Sequence, residues 1–177
     1  MASVQEKYKA EAPKLKEQFK LTNVMAVPKL TKVVVSVGTG KNHDKKRLEL
    51  VSERLAKITG QKPSPRPAKI AIASFKSRQG DIVGMKVTLR GARMYGFLDK
   101  LLNITLPRIR DFRGYPVTGI DAMGNYTLGI KEHTIFPESA DEDIKDAFGM
   151  AVTFTTTSKD KKQTEALLRA IGVPFKK

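Results

Sequence analysis

The sequence contains no cysteine and no tryptophan, and aromatic residues make up only 7% of its 177 residues. Without cysteine there is neither a disulfide nor a thiolate metal site, which is compatible with the cytosol. No apolar run approaches the length of about eighteen residues that a membrane span needs. The first residues lack an apolar signal core and include acids, so neither a secretory nor a transit peptide is expected. These absences predict a cytosolic protein with a mainly aliphatic core.

Acidic residues are scarce relative to basic ones. The chain has 33 Lys and Arg against 18 Asp and Glu, a net charge of +15, and an isoelectric point near 10.0. Between Lys62 and Tyr115 there are twelve basic and three acidic residues, so most of the excess lies in this stretch, whereas residues 138–146 are acidic. A charge excess of this size favours a polyanionic partner such as a nucleic acid.

Motifs for catalysis, cofactors and metals are missing. The segment Gly38–Lys41 superficially suggests a phosphate loop, but Val35 stands where that motif needs glycine and Asn42 where it needs serine or threonine. An isolated pair of glycines is typical of a turn. His43 and His133 are the two histidines and form no cluster with metal-ligand spacing. The sequence therefore predicts a protein that is not an enzyme and that holds neither a cofactor nor a metal.

A predicted hairpin over residues 69–90 is the centre of the functional argument. Its second arm alternates, with Met85, Val87 and Leu89 on one face and Lys86, Thr88 and Arg90 on the other, which is typical of a half-buried strand. Its first arm is expected to place Ile70 and Ile72 inward and Lys69 outward. Between the arms, a polar tip over about residues 74–84 should protrude, carrying the side chains Lys76, Ser77, Arg78 and Gln79.

Further strands are predicted over 28–38, 125–131 and 150–157, each with one apolar face. Helices are predicted over about 4–20 with a kink or break at Pro13, over a segment ending at Gly60, from Gly91 to Pro107, over the acidic stretch 139–148, and after an Asp160 cap. Asn42 or Asp44 is expected to cap the second of these helices. The proline-rich segment 61–67 is predicted to be a stiff, extended linker.

These elements predict a single α+β domain over residues 1–177. Its core would be a mainly antiparallel five-stranded sheet with helices on one face, an open polar face and a protruding hairpin loop. Because the open face lacks paired aromatic side chains for base stacking, structured RNA is a better ligand for it than single strands. The outward side chains are Lys32, Ser36, Lys69, Lys86, Thr88, Arg90, Thr127, Lys131, Thr153 and Thr155.

Long segments of the chain resemble a known family. They are VPKLTKVVVSVGTG, ITGQKP, FKSRQGDIVGMKVTLRGARMYGFLDKLLNITLPRIRDFRG, GNYTLGIKEHTIFPE and LLRAIGVPF. Together they resemble the bacterial large-subunit ribosomal protein L-five, the family that binds 5S ribosomal RNA. The resemblance covers nearly the whole chain, from the first helix to Phe175.

The resemblance implies that the open face binds 5S rRNA in the central protuberance of the ribosome, near 23S-type rRNA and neighbouring large-subunit proteins. Family residues that form hydrogen bonds to RNA correspond to Gln61 and Thr88, and a family asparagine corresponds to Ser36. The resemblance also implies that the hairpin tip contacts P-site tRNA, although Asp81 lowers the positive charge of the tip. The family also implies an intersubunit bridge to a small-subunit protein, for which the loop 114–124 and the acidic patch are candidates.

Two other function classes stay open at this point. One is a nucleotide-using enzyme, which would need a phosphate loop or a catalytic cluster. The other is an RNA chaperone or translation regulator that uses the same basic face away from the ribosome. Co-sedimentation with ribosomal particles distinguishes a structural subunit from such a regulator.

Overall fold

The computed structural model describes residues 3–40, 45–75, 77–110, 112–139 and 147–176. Within them, the fold is α+β, as predicted, with an antiparallel five-stranded sheet of strand order β2-β3-β1-β5-β4. The elements in chain order are α1 (Val4–Gln18), β1 (Leu30–Gly38), α2 (Lys45–Thr59), β2 (Ser64–Pro67), β3 (Ile82–Leu89), α3 (Gly91–Lys100), β4 (Tyr126–Ile130), β5 (Met150–Thr156) and α4 (Lys161–Ala170). Across the described ranges, every helix is too short or too polar to cross a membrane.

The chain divides into two compact units, each built from several segments. Unit 1 comprises residues 1–33, 90–128 and 153–177, and unit 2 comprises residues 34–89 and 129–152. Strands β1, β4 and β5 each begin in one unit and end in the other. The single domain over 1–177 and the protruding tip at 74–84 stay predictions.

In unit 1, α1 lies against α3 and α4. Ser3 and Glu6 form a capping box at the start of α1, and the Val4 amide donates a 2.6 Å hydrogen bond to the Asp99 carboxylate of α3. Of the predicted kink or break at Pro13, the break does not occur, since α1 continues through that residue to Gln18. The helix loses one backbone hydrogen bond there, but its buried residues, Val4 and Leu15, lie on both sides of the proline.

In unit 2, α2 packs on β3 and ends as predicted at Gly60, which has the left-handed φ of +67°. The core includes apolar side chains from β1, α2 and β3: Val35, Val37, Val51, Leu55, Ile58, Met85, Val87 and Leu89. The buried ring of His133 stacks on Phe148 with centroids 4.0 Å apart, and its Nδ1 accepts the Phe148 amide. This histidine is therefore a packing residue of unit 2.

The first arm of the hairpin differs from the prediction. The strand that pairs with β3 is β2, inside the segment 61–67 that the sequence suggested was a linker. Residues 69–73 are not a strand, and Ile70 and Ile72 are 73% and 45% exposed, so their predicted inward position is wrong. Pro65 and Pro67 are tolerated because β2 is an edge strand, where alternate backbone amides have no partner strand to bond.

The other predicted elements lie where they were expected or outside the described residues. The inward residues of β4 and β5, among them Tyr126, Leu128, Val152 and Phe154, are buried, as predicted. Helix α3 begins at Gly91, as predicted, and helical turns continue through Leu101–Thr105 to Arg108, one residue past Pro107, where the helix was expected to end. Asp160 caps α4 by accepting the Lys162 amide. The proposed caps Asn42 and Asp44 and most of the acidic helix 139–148 lie outside the described residues.

Candidate nucleic-acid interface

Strand β3 presents two of the three residues of its predicted polar row, Lys86 and Thr88, whereas Arg90 follows the strand as the N-cap of α3. Met85, Val87 and Leu89 are buried, while Lys86 and Thr88 between them are half-buried and open to water. A strand that buries every second side chain holds the intervening ones at a fixed spacing on the other face. Lys86 therefore projects a cation, and Thr88 a hydroxyl, from a rigid backbone.

Gln61 lies next to Thr88, although the two residues are 27 positions apart in the chain. The Gln61 Nε2 donates to the Thr88 carbonyl oxygen at 3.4 Å. Two features place Gln61 there. Gly60 reverses the chain with φ +67°, and the Thr59 hydroxyl bridges the Leu55 and Gln61 carbonyl oxygens at 2.6 and 3.1 Å. The second Nε2 proton and the side-chain Oε1 of Gln61 can still bind a ligand.

Ser36 lies on β1, the strand next to β3. Its side chain is half-buried between the buried Val35 and Val37. A Cβ on Gly84 would lie 2.8 Å from the Val37 carbonyl oxygen, so β1 and β3 approach closely at this point. The same Cβ would lie 3.8 Å from the Gly38 Cα, so Gly84 and Gly38 lie opposite each other. Because the strands are antiparallel, moving two residues along each strand from this pair brings Ser36 and Lys86 to the same level of the sheet.

Strand β2 adds two polar residues that the sequence prediction missed. Ser64 pairs with Lys86, and Arg66 pairs with Gly84. Since directly paired residues of antiparallel strands point to the same side, Ser64 and Arg66 extend the face that carries Lys86. Both are exposed. One feature of the sequence could have indicated this strand: Pro65 and Pro67 stand at alternate positions, which is compatible with an edge strand.

Unit 1 carries its own part of the predicted polar row. Lys32 on β1 is half-buried and Arg90 is exposed at the start of α3. The hydroxyls of Thr127 and Thr153 are hydrogen-bonded to each other at 3.0 Å on the outward sides of β4 and β5. The aromatic residues of the five strands, Tyr126 and Phe154, are both buried on the opposite side. The outward face of the strands thus offers hydrogen-bonding and cationic groups without a ring for base stacking.

The tip was predicted over residues 74–84, but residues 82–84 belong to β3. From here on, the tip means the loop of residues 68–81 that joins β2 to β3. At its base, the Ala68 amide donates to the Asp81 carbonyl oxygen at 2.8 Å, and the Gly80 amide donates to Ala68 at 3.0 Å. The Asp81 carboxylate accepts the Arg78 amide at 2.8 Å. Asp81 therefore has a structural role in the turn at the same time as it lowers the positive charge.

The predicted tip residues are accessible to different degrees. Arg78 and Gln79 are exposed, Ser77 is half-buried, and Lys76 lies outside the described residues. Lys69 is exposed, but on the tip and not on a strand. The tip also exposes the apolar side chains of Ile70, Ile72 and Phe75, the last at 60%. A partner of the tip would thus meet apolar as well as cationic groups.

A metal centre is not formed by the described parts of the chain. They contain no group of three or more His, Cys, Asp or Glu side chains close enough to hold a metal ion. His133 is buried in the core of unit 2, and His43 lies outside the described residues. The chemistry offered by the surface is hydrogen bonding and positive charge.

Comparison with known proteins identifies relatives along nearly the whole chain. Residues 23–78 match the family model described as Ribosomal protein L5, and residues 82–175 match the model of the C-terminus of the same ribosomal protein family. Proteins named large ribosomal subunit protein uL5 from Streptococcus pneumoniae strains Hungary19A-6, CGSP14 and 70585 are each 48% identical over 176 residues. These alignments cover 98% of this chain and 98% of each relative.

Proposed function

Because the chain belongs to the L5 family of large-subunit ribosomal proteins, which are not enzymes, we propose that it binds 5S rRNA through the outward face of its sheet. In this role it helps to attach 5S rRNA in the central protuberance of the cytoplasmic ribosome, next to 23S-type rRNA and other large-subunit proteins. The residues proposed to contact rRNA are Lys32, Ser36, Gln61, Lys69, Lys86, Thr88 and Arg90.

The observation that carries this proposal is the hydrogen bond between Gln61 and the Thr88 carbonyl. The fold brings together two residues that correspond to RNA-contacting positions of the family, with Lys86 on the same face as Thr88. A duplex RNA has a wide, shallow groove of 2′-hydroxyls between two phosphate backbones. Amide and hydroxyl groups flanked by cations suit that surface, since the cations bind phosphate and the polar groups bind the groove.

Salt dependence tests the position of the RNA. Lys86→Ala and Arg90→Ala are each expected to weaken 5S rRNA binding and to lower the log–log salt slope by about 0.7–0.9, the value of one lost phosphate contact. Lys162→Ala, which removes an exposed charge from α4, should leave the slope unchanged. Filter binding over a range of salt concentrations measures all three. Unchanged slopes in both face variants would show that RNA binds elsewhere.

Ser36 offers a test of the family correspondence. Ser36→Asn is expected to maintain or increase 5S rRNA affinity, because an amide reaches further than a hydroxyl and both donates and accepts. Ser36 lies outward between buried valines, so the larger side chain should extend away from the core. A loss of more than about tenfold in affinity, or about 1.4 kcal/mol, in a variant with wild-type thermal stability would contradict the correspondence.

Two further contacts belong to the proposal. The tip, with Lys76, Ser77, Arg78 and Gln79, is proposed to contact P-site tRNA, because it is a short folded loop with exposed side chains at the end of a hairpin. An intersubunit bridge to a small-subunit protein is proposed for the loop 114–124 and for the acidic patch of residues 138–146. Most of the acidic patch lies outside the described residues. Co-sedimentation with ribosomal particles tests membership in the ribosome independently of either contact.

A further inference from the structure

A second strongly basic surface lies in unit 1, on the loop that follows α3. Arg108, Arg110 and Arg113 fall within six residues, and all three side chains are exposed. Among the described residues of this chain, none of the three guanidinium groups forms an ion pair or a side-chain hydrogen bond. We call these three residues the arginine loop.

The C-terminal segment is bonded to Tyr115, two residues after the arginine loop. The Tyr115 amide donates to the Pro174 carbonyl, and the Lys176 amide donates to the Tyr115 carbonyl, both at 2.9 Å. Gly114 has φ +84°, and a Cβ at this position would lie 2.8 Å from the Phe175 carbonyl carbon. The approach is so close that only glycine is accommodated. We call residues 174–176 the C-terminal strap.

Phe175 fixes the strap to the body of unit 1. Its ring meets the edge of Tyr126 with centroids 5.3 Å apart, and the Arg169 guanidinium lies 5.2 Å from its centroid. Arg169 is itself held by Glu165 at 2.7 Å. Burial raises the pKa of Tyr115 and raises the pKa of Tyr126 to about 12, so both phenols stay neutral at physiological pH. The strap is thus anchored by aromatic contacts as well as by backbone hydrogen bonds.

We propose that the arginine loop is a second RNA-binding surface, separate from the residues assigned above, and that the C-terminal strap is its positioning element. Arginine binds phosphate through two parallel hydrogen bonds, and an ordered backbone lowers the entropy cost of binding. The exposed side chains among the described residues of 108–113 are all arginines. A protein partner would usually require an apolar centre, so a phosphate backbone fits better.

This inference rests on the proposed function in one respect, namely that the chain binds RNA. The probe is a short RNA duplex of arbitrary sequence, because phosphate contacts carry no sequence information. The variant R108Q/R110Q/R113Q is compared with K159Q/K161Q/K162Q, which removes the same charge from three exposed lysines of unit 1. We expect the arginine variant to lower the log–log salt slope by about 2.1–2.7, at about 0.7–0.9 for each of three contacts, and the lysine control to leave it nearly unchanged.

The role of the strap is tested with the charge kept constant. Phe175→Ala should lower the log–log salt slope by about 1 or more. Phe175→Tyr should keep the wild-type slope, because its phenol ring retains the contact with Tyr126 and the cation–π contact with Arg169. A strap that is only structural would lower thermal stability without changing the slope. Because Phe175→Ala could fail to fold, wild-type protein is also treated with phenylglyoxal. Bound RNA should then protect Arg108, Arg110 and Arg113 from modification.

The outcomes separate this inference from the proposed function. If wild-type protein does not bind 5S rRNA, the proposed function fails. If it binds but the arginine and lysine variants lose the same slope, or the three arginines react equally with and without RNA, the arginine loop is not an RNA-binding surface. An unchanged slope together with loss of the arginine variant from ribosomal particles would assign the loop to a protein partner and overturn the proposal.

Discussion

Gly124→Ala should lower the free energy of unfolding by about 2–5 kcal/mol, because a side chain at this position is both conformationally strained and sterically blocked. Gly124 has φ +73°, where an L-residue costs about 1–2 kcal/mol. A Cβ there would also lie 2.4 Å from the Ser158 carbonyl oxygen and 2.9 Å from the Thr164 hydroxyl. Overpacking of a buried site adds about 1–3 kcal/mol.

The surroundings of Gly124 leave little room for relaxation. Its carbonyl oxygen accepts two buried hydroxyls, Thr156 at 2.6 Å and Thr164 at 3.1 Å. A shift of the backbone to relieve the clash would break these bonds and leave buried polar groups unpaired. The destabilisation therefore cannot be avoided by a small local movement.

Gly60→Ala is the matched control, because Gly60 has a similar φ of +67° but nothing lies within 4 Å of its Cβ position. It should show only the cost of the backbone conformation, about 1–2 kcal/mol. Chemical denaturation of the two variants and the wild type gives the free energies of unfolding. Equal losses in both variants would mean that the contact with Ser158 contributes nothing.

Replacing residues 69–80 by a tight two-residue turn is expected to separate the two roles proposed for unit 2. The hydrogen bond between Ala68 and Asp81 marks the base of the tip, and a two-residue turn can close the hairpin across it. Strands β2 and β3, with Ser64, Lys86 and Thr88, remain intact. We therefore expect 5S rRNA binding to be nearly unchanged, whereas dissociation of P-site tRNA should accelerate by up to about tenfold, or about 1.4 kcal/mol.

The paired measurement is filter binding to 5S rRNA and tRNA dissociation from reconstituted particles. Lys69→Ala alone is the control for the loss of one assigned rRNA contact within the replaced segment. Loss of 5S rRNA binding in a folded tip variant, beyond the effect of Lys69→Ala, would contradict the division of roles. A normal tRNA dissociation rate would remove the role assigned to the tip.

Point variants then identify the chemistry of the tip. Lys76→Ala/Arg78→Ala removes the two cations of the tip other than Lys69, while Phe75→Ala removes a ring that is 60% exposed. If the cations touch phosphate, the double variant reproduces the effect of the replacement and its tRNA dissociation depends less on salt. If Phe75→Ala instead accelerates tRNA dissociation as much as the replacement of residues 69–80 does, apolar contact between the tip and the tRNA dominates.

The sequence alone was sufficient for elements whose signal is local. The alternation in β3, β4 and β5 correctly predicted which side chains are buried, because successive strand residues point to opposite faces whatever the partner. The start of α3 at Gly91 and the Asp160 cap of α4 were likewise found from local backbone chemistry. The family was also recognisable from contiguous motifs.

Only the tertiary structure decided which neighbouring segment pairs with β3. Residues 64–67 and 69–73 were both plausible extended segments, and the alternation of Ile70 and Ile72 favoured the wrong one. Strand pairing depends on the register with a partner strand, here Ser64 with Lys86, and a period of two cannot encode it. For this reason Ser64 and Arg66 were missed.

The contacts that define the two candidate surfaces are also tertiary. The hydrogen bond from Gln61 to Thr88 spans 27 residues, and the strap bonds Tyr115 to Pro174 and Lys176. Composition established that the chain carries a large positive charge, but not which of the charged side chains lie close together in the folded protein. Their arrangement depends on chain reversals and on packing between distant segments, whose closure costs entropy that only the folded contacts offset.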